Sequence, residues 1–276
     1  MVVKSIYQKD AVDATHRALI EIMRALGEYR DEIVLIGGWI PSLLINQPKV
    51  KHIGSLDIDL AVDHTKLDDE KYKTILKILE ERGFKQEGQP FQFVKVIEVN
   101  HKPYKVRIDL LAGEYHGTSK AHRHQNAPEV KLRKARGADI VFTNFIEINL
   151  EGLLPDKSID QVSFKIASIA AFLAMKGMAL ADRFKEKDAY DIYYCVKEYP
   201  GGIKKLVEDI KPAIKRSKLI QEGFEKIRSK FQSIKHSGPR HVAIFEQLDE
   251  EEDEFDILVR DAYERVTSLL KELQIS

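Results

Sequence analysis

The sequence predicts an α+β protein: a mixed α/β amino half followed by an all-helical carboxyl half. Three observations predict it. Short β-branched or alternating runs at 33–36, 56–62, 91–99 and 103–112 read as strands, with helix-periodic segments between them. After Pro155 the pattern changes, and most of the remainder repeats at helical spacing. The chain of 276 residues, 43% hydrophobic and 32% charged, is long enough for one large or two small cores. The expected boundary falls at 155, giving 1–155 and 156–276.

Residues 9–29 place Ala14, Leu19, Ile20, Ile22, Met23 and Leu26 near helical spacing. Residues 33–36, IVLI, form a strand ending in the turn Gly37-Gly38. WIPSLLIN starts a short helix, and QPKVKHIG reads as a polar connector. Residues 56–62 form an acidic strand. The segment 68–83 is an amphipathic helix with acids at its start and Gly83 as its stop. Strands at 91–99 and 103–112 flank a turn at 100–103, and 139–150 is again β-rich. Helices are expected at 163–182, 184–198, 203–234 with breaks, and 252–274.

Composition narrows the function. Formal net charge is zero, so contact with nucleic acid requires a local patch rather than overall charge. Cys195 is the only cysteine, which excludes an intrachain disulfide and a cysteine-based zinc site. The start, MVVKSIYQKD, lacks the apolar core of a signal peptide, and no apolar run approaches a membrane span. A cytoplasmic location without membrane contact is the default expectation.

The chemistry concentrates in GSLDIDLAVD, 54–63. Residues two apart on a strand share a face, so Asp57 and Asp59 lie side by side while Leu56, Ile58 and Leu60 face away. Two adjacent carboxylates repel unless a cation cancels their charge. Mg²⁺ or Mn²⁺ suits them, because these ions take oxygen ligands and combine carboxylates with substrate phosphates. A third carboxylate, Asp109, stands on the strand YKVRIDLLAG. Gly37 and Gly38 suit close backbone approach to phosphate. Taken alone, each feature has a plain counterpart. Asp57 and Asp59 match the polar face of a surface strand, and Asp109 matches a surface ion pair with Arg107 on the same face.

Gly-Gly, then Asp-x-Asp, then a distant third Asp on a strand, resembles the nucleotidyltransferase superfamily of DNA polymerase β type. SLDIDL and MKGMALADRFKEKDAYDIYY resemble the AbiEii/AbiGii toxin-type branch, over about residues 30–195. The matching residues are Ser55, Asp57 and Asp59, then Lys176, Ala179-Leu180, Arg183, Lys187-Asp188 and Tyr190-Asp191. The resemblance implies a polymerase β-like catalytic domain with a mixed sheet over 1–155 and a helical domain after it. It implies transfer of a nucleoside monophosphate from a nucleoside triphosphate to an acceptor hydroxyl. An RNA such as tRNA would be the acceptor, and a cognate antitoxin the partner. Asp57, Asp59 and Asp109 would hold the metal ions, and Gly37, Gly38 and Ser55 would frame the triphosphate. Lys176 would neutralise charge on the phosphates, Asp188 would orient basic groups or the acceptor, and Arg183 and Lys187 would contact the nucleotide.

Two features depart from the family. The spacer from Gly38 to Asp57 is longer than usual, and Trp39 stands where members carry Thr or Ser. Its indole either stacks on a base or anchors the short helix in the core. Lys176, Leu180, Arg183, Lys187 and Asp191 would share one face of a continuous helix. A break near Arg183-Phe184 would spoil that face, and Lys187 with Asp191 also reads as an ordinary helical ion pair. The histidines His116, His122 and His124 lack the spacing of a zinc site and read as a polar loop running into Lys131, Arg133, Lys134 and Arg136. That stretch and the run Lys204, Lys205, Lys211, Lys215, Arg216 and Lys218 are solvated faces or RNA-contacting patches. The acidic run 249–256 is a solvated linker or a mask for a basic groove. Two rival functions keep the fold: nucleotidylation of a protein or small molecule, and a non-catalytic nucleotide-binding module.

Overall fold

The computed structural model describes residues 2–113, 132–183 and 185–275. His116, His122, His124 and Lys131 lie outside the described residues. The architecture is α+β, and the chain forms two compact units. One comprises Gln8–Trp39 and Ser55–Ser168; the other comprises Met1–Tyr7, Ile40–Gly54 and Ile169–Ser276. The first carries the sheet and the second is helical.

Strands and helices are numbered along the chain. The sheet contains β1 (Ile33–Ile36), β2 (Asp57–Val62), β3 (Lys85–Gln86), β4 (Gln92–Val99), β5 (Lys102–Ala112), β7 (Phe145–Leu153) and β8 (Ile159–Ala167). Their order is β3-β4-β5-β2-β1-β8-β7, and the short β6 (Arg133–Lys134) pairs with β5. The sheet is mixed: β2 runs parallel to β5 and antiparallel to β1, and β1 runs parallel to β8. The amphipathic helix α1 (Lys9–Ala25) packs on β4, β5, β7 and β8 through a face that includes Ala18, Leu19, Ile22 and Met23. A second helix, α3 (Asp69–Glu81), starts where Asp68 accepts a hydrogen bond from the Lys71 amide. The β4–β5 hairpin turns on Asn100 and His101, both at positive φ, the geometry of a two-residue turn.

An expected cut at 155 falls between β7 and β8, inside this sheet. β8 covers 159–167, so the helix expected from 163 begins later, as α4 (Ile169–Arg183). Val162, Phe164 and Ile166 alternate with Ser163 and Lys165, and that period of two wins over helix propensity. The β-rich reading of 139–150 is half met: Ala138–Phe142 is a 3₁₀ turn, and the strand starts at Phe145.

The helical unit contains α2 (Ile40–Leu44), α4, α5 (Glu186–Glu198), α6 (Gly202–Arg216), α7 (Lys218–Lys230), α8 (Ser237–Phe245) and α9 (Asp253–Glu272). The acidic run 249–256 is partly the first turn of α9, where carboxylates favour the helix amino end. α5 is buried along nearly its whole length and packs against α4, α6, α8 and α9. α4 crosses α7 where glycines meet. A Cβ on Gly177 would stand 2.1 Å from the carbonyl oxygen of Gly223, and one on Gly223 would stand 2.5 Å from Cα of Ala174. The helices approach this closely only without side chains there.

Alanine at 177 gains about 1 kcal/mol of helix propensity. Overpacking of a backbone contact costs about 1–3 kcal/mol and is the larger effect here. Gly177→Ala is therefore expected to lose up to about 2 kcal/mol net in urea denaturation.

Candidate functional site

Register builds the acidic face. On the parallel pair β2–β5, Asp59 stands opposite Asp109 and Asp57 opposite Arg107. Cross-strand partners share a face, so three carboxylates and one guanidinium project together. The alternate residues Ile58, Leu60, Ile108 and Leu110 are fully buried, which fixes the register: a one-residue slip would drive the acids into the core. Gln92 on β4 stands opposite Asp109, with its amide nitrogen 3.5 Å from the carboxylate.

Arg107 lies among the acids. Its Nη2 donates to Asp57 Oδ2 at 2.6 Å, and its Nε is 3.5 Å from Asp109 Oδ1. Burial works against the charged guanidinium, but Asp57, Asp109 and Asp59 outweigh it and hold Arg107 above its ordinary pKa. The glycine pair serves Asp59 directly. Gly37 has φ +77, and a Cβ there would stand 2.0 Å from Asp59 Oδ2. The carboxylate therefore rests against bare backbone. Gly38 is buried in the same 3₁₀ turn, Gly37–Trp39, and Ser55 is buried just before β2. Trp39 is buried, with its ring 5.5 Å from His16, which favours the core-anchor reading of the indole.

The donor set suits a hard divalent ion by type, since all three acids offer oxygen. In geometry the guanidinium bridges two of them. Among the described residues no group of three His, Cys, Asp or Glu stands ready to hold a metal ion.

The other predicted residues belong to the helical unit. The helix breaks after Arg183, and Lys185 is extended before α5, so Lys176 through Asp191 do not share one continuous helix face. Packing of α4 against α5 brings them together instead. Lys176 Nζ lies 2.7 Å from both Asp188 Oδ1 and Asp191 Oδ2. Arg183 donates to Asp188 at 2.9 Å, and Lys187 donates to Asp191 at 2.8 Å. Asp191 also accepts from His52 Nε2 at 3.0 Å. The Gly54 amide donates to His52 Nδ1, which places the ring proton on Nε2.

The charges here answer to burial. Asp191 is fully enclosed; burial alone would raise its pKa, but Lys176, Lys187 and His52 drive it far below the carboxylate range. Asp188 is lowered in the same way by Lys176 and Arg183. Lys176 is opposed by burial yet raised by its two carboxylates, whereas burial outweighs Asp191 at Lys187 and lowers it. His52 is pushed down to about 4, first by burial, with Asp191 pulling the other way.

Sequence reasoning missed His52 entirely. It sits in a segment read as a polar connector, and no spacing marks it. Three further bonds tie that segment to α5: Lys49 and Val50 amides to Glu198, and Tyr194 Oη to the Val50 carbonyl. The basic run is α6 and its exit, where Lys205 pairs with Asp209. No described helix is long and apolar enough to cross a membrane.

No protein-family model, curated protein or solved structure matches this chain.

Removing one member of a buried ion network leaves an uncompensated charge and costs about 3–5 kcal/mol. Lys176→Met is expected to lose stability on that scale in denaturant titration. His52 gives a pH signature. Well above pH 6.5, the ordinary histidine pKa, it is neutral whether folded or unfolded, and the fold keeps full stability. As pH falls towards about 4 the unfolded chain takes up the proton first, and stability drops. His52→Gln is expected to flatten stability against pH between about 6.5 and 5, measured by thermal unfolding across that range.

Proposed function

We propose that this chain is a metal-dependent nucleotidyltransferase on a polymerase β-like sheet. The observation that carries the reading is the juxtaposition of Asp57, Asp59 and Asp109 on one face of two parallel strands, with Asp59 seated against Gly37. Asp57 and Asp59 would hold Mg²⁺ or Mn²⁺, joined by Asp109. When bound, the ion would supply positive charge for the carboxylates and for the substrate phosphates.

The residues' own work is positioning and proton handling. Asp109 accepts the proton of the acceptor hydroxyl. The hydroxyl oxygen forms a bond to the α-phosphorus of the nucleoside triphosphate. The bond from that phosphorus to the bridging oxygen breaks, and pyrophosphate leaves with the electron pair. Gly37 and Gly38 let phosphate approach the backbone, and Ser55 frames it. In the helical unit Arg183 is the most exposed member of the network, its side chain 42% exposed. Lys176, Lys187 and Asp188 maintain the network. The acceptor is an RNA, with tRNA the first to test, and an antitoxin is the expected partner; both rest on the motif resemblance alone.

One observation favours a second reading, a non-catalytic nucleotide-binding module. Arg107 already pairs with Asp57 and Asp109, so two of the acids have a structural use without an ion. We favour catalysis because a structural ion pair needs one carboxylate, and this face holds three.

Label transfer separates the readings. With Mg²⁺ and each α-labelled nucleoside triphosphate, the protein is expected to label RNA, and Asp57→Ala is expected to abolish transfer while keeping the wild-type fold by circular dichroism. Label on protein alone would move the acceptor class. Nucleotide binding without turnover would establish the module.

A further inference from the structure

We infer that Arg107 is a positioning residue that holds the cation place of the acid trio in the ion-free protein and leaves it when a divalent ion binds. This rests on the reading of Asp57, Asp59 and Asp109 as a metal site. The geometry is specific. Arg107 is not beside the trio but within it: it stands opposite Asp57 across the β2–β5 pair and two residues from Asp109 on its own strand. Its Nη2 contact to Asp57 at 2.6 Å is a short charge-assisted bond, and its Nε faces Asp109 at 3.5 Å.

The guanidinium engages one oxygen of Asp57 and one of Asp109, and a divalent ion ligated by the same carboxylates would stand within a few Å of it as a like charge. The two cations therefore compete for the same negative charge. Departure is open to Arg107, because its side chain is 42% exposed on a long stem, whereas Asp57, though 38% exposed, is held by a short stem on β2 and Asp109 is 5% exposed. The acids stay and the guanidinium moves. Three carboxylates on one face would repel strongly if nothing replaced it, so a strand carrying this trio needs a removable cation before the ion arrives. Once displaced, the guanidinium remains tethered two residues from Asp109 and offers a fork to the phosphates of the incoming nucleotide.

Mn²⁺ binding, followed by electron paramagnetic resonance on the full chain, tests this without any assay of activity. Wild type is expected to bind weakly, Asp57→Ala not at all, and Arg107→Gln about tenfold more tightly than wild type. Thermal unfolding supplies a second readout in case the glutamine variant is unstable. Arg107→Gln is expected to melt below wild type without Mn²⁺ and to gain more from its addition. Arg107→Lys, which keeps the charge but not the fork, is expected to fall between them in affinity. Equal or weaker Mn²⁺ binding by Arg107→Gln, with Asp57→Ala still abolishing it, would overturn the role of Arg107 alone. Binding that ignores Asp57 in every variant would overturn the metal site itself, and this inference with it.

Discussion

A charge taken out of water must meet its opposite, and both units of this molecule are organised around that requirement. In the sheet unit, the pairing of β2 with β5 lines up three carboxylates, and the same register delivers Arg107 among them. In the helical unit, α5 is enclosed on nearly all sides yet carries Lys187, Asp188 and Asp191. Such a helix is stable only if its neighbours bring the matching charges. α4 brings Lys176 and Arg183, and the segment before β2 brings His52 as a neutral donor. Taking Lys176, Lys187 and Arg183 as positive and Asp188 and Asp191 as negative, the group keeps one net positive charge. Arg183, the partner most open to solvent, is where that surplus is best screened.

The amino half was legible because its signals are local. The run 33–36, the alternation in 57–62 and the capped helix after Asp68 each carry their own periodicity or stop signal. The region around 155–168 was not. Pro155 marks a real turn, but the turn joins two strands of one sheet rather than two domains. The alternation of Val162, Phe164 and Ile166 was present in the sequence and was overridden by the helical pattern just beyond it. No helix was expected over α8, whose first turn holds Gly238 and Pro239, residues tolerated at that place in a helix.

At the candidate site, period two was enough to place Asp57 beside Asp59. That Asp109 would face Asp59 directly needed the strand order, which no single sequence supplies. Arg107 was visible as a partner of Asp109, but its shorter contact is with Asp57 across the strand boundary. The Lys176-to-Asp191 series shows the opposite failure. Its spacing fits a continuous helix, yet the residues converge by packing of two helices separated by the extended Lys185. Spacing grouped residues that do converge, but for the wrong geometric reason.

The long spacer between Gly38 and Asp57 has a physical explanation in the course of the backbone. The chain leaves β1 through Gly37–Trp39, contributes Ile40–Gly54 to the helical unit, and returns at Ser55 to lay down β2. Those intervening residues are not slack. α2 packs on α4 and α5, Glu198 caps the Lys49 amide, and Asp191 holds His52 three residues before Ser55. Closing an antiparallel pair over so long a loop costs entropy that the two short strands recover poorly on their own. Docking the loop on α5 supplies its order from elsewhere. The helical unit therefore cannot be removed as a contiguous piece without cutting the connection between β1 and β2.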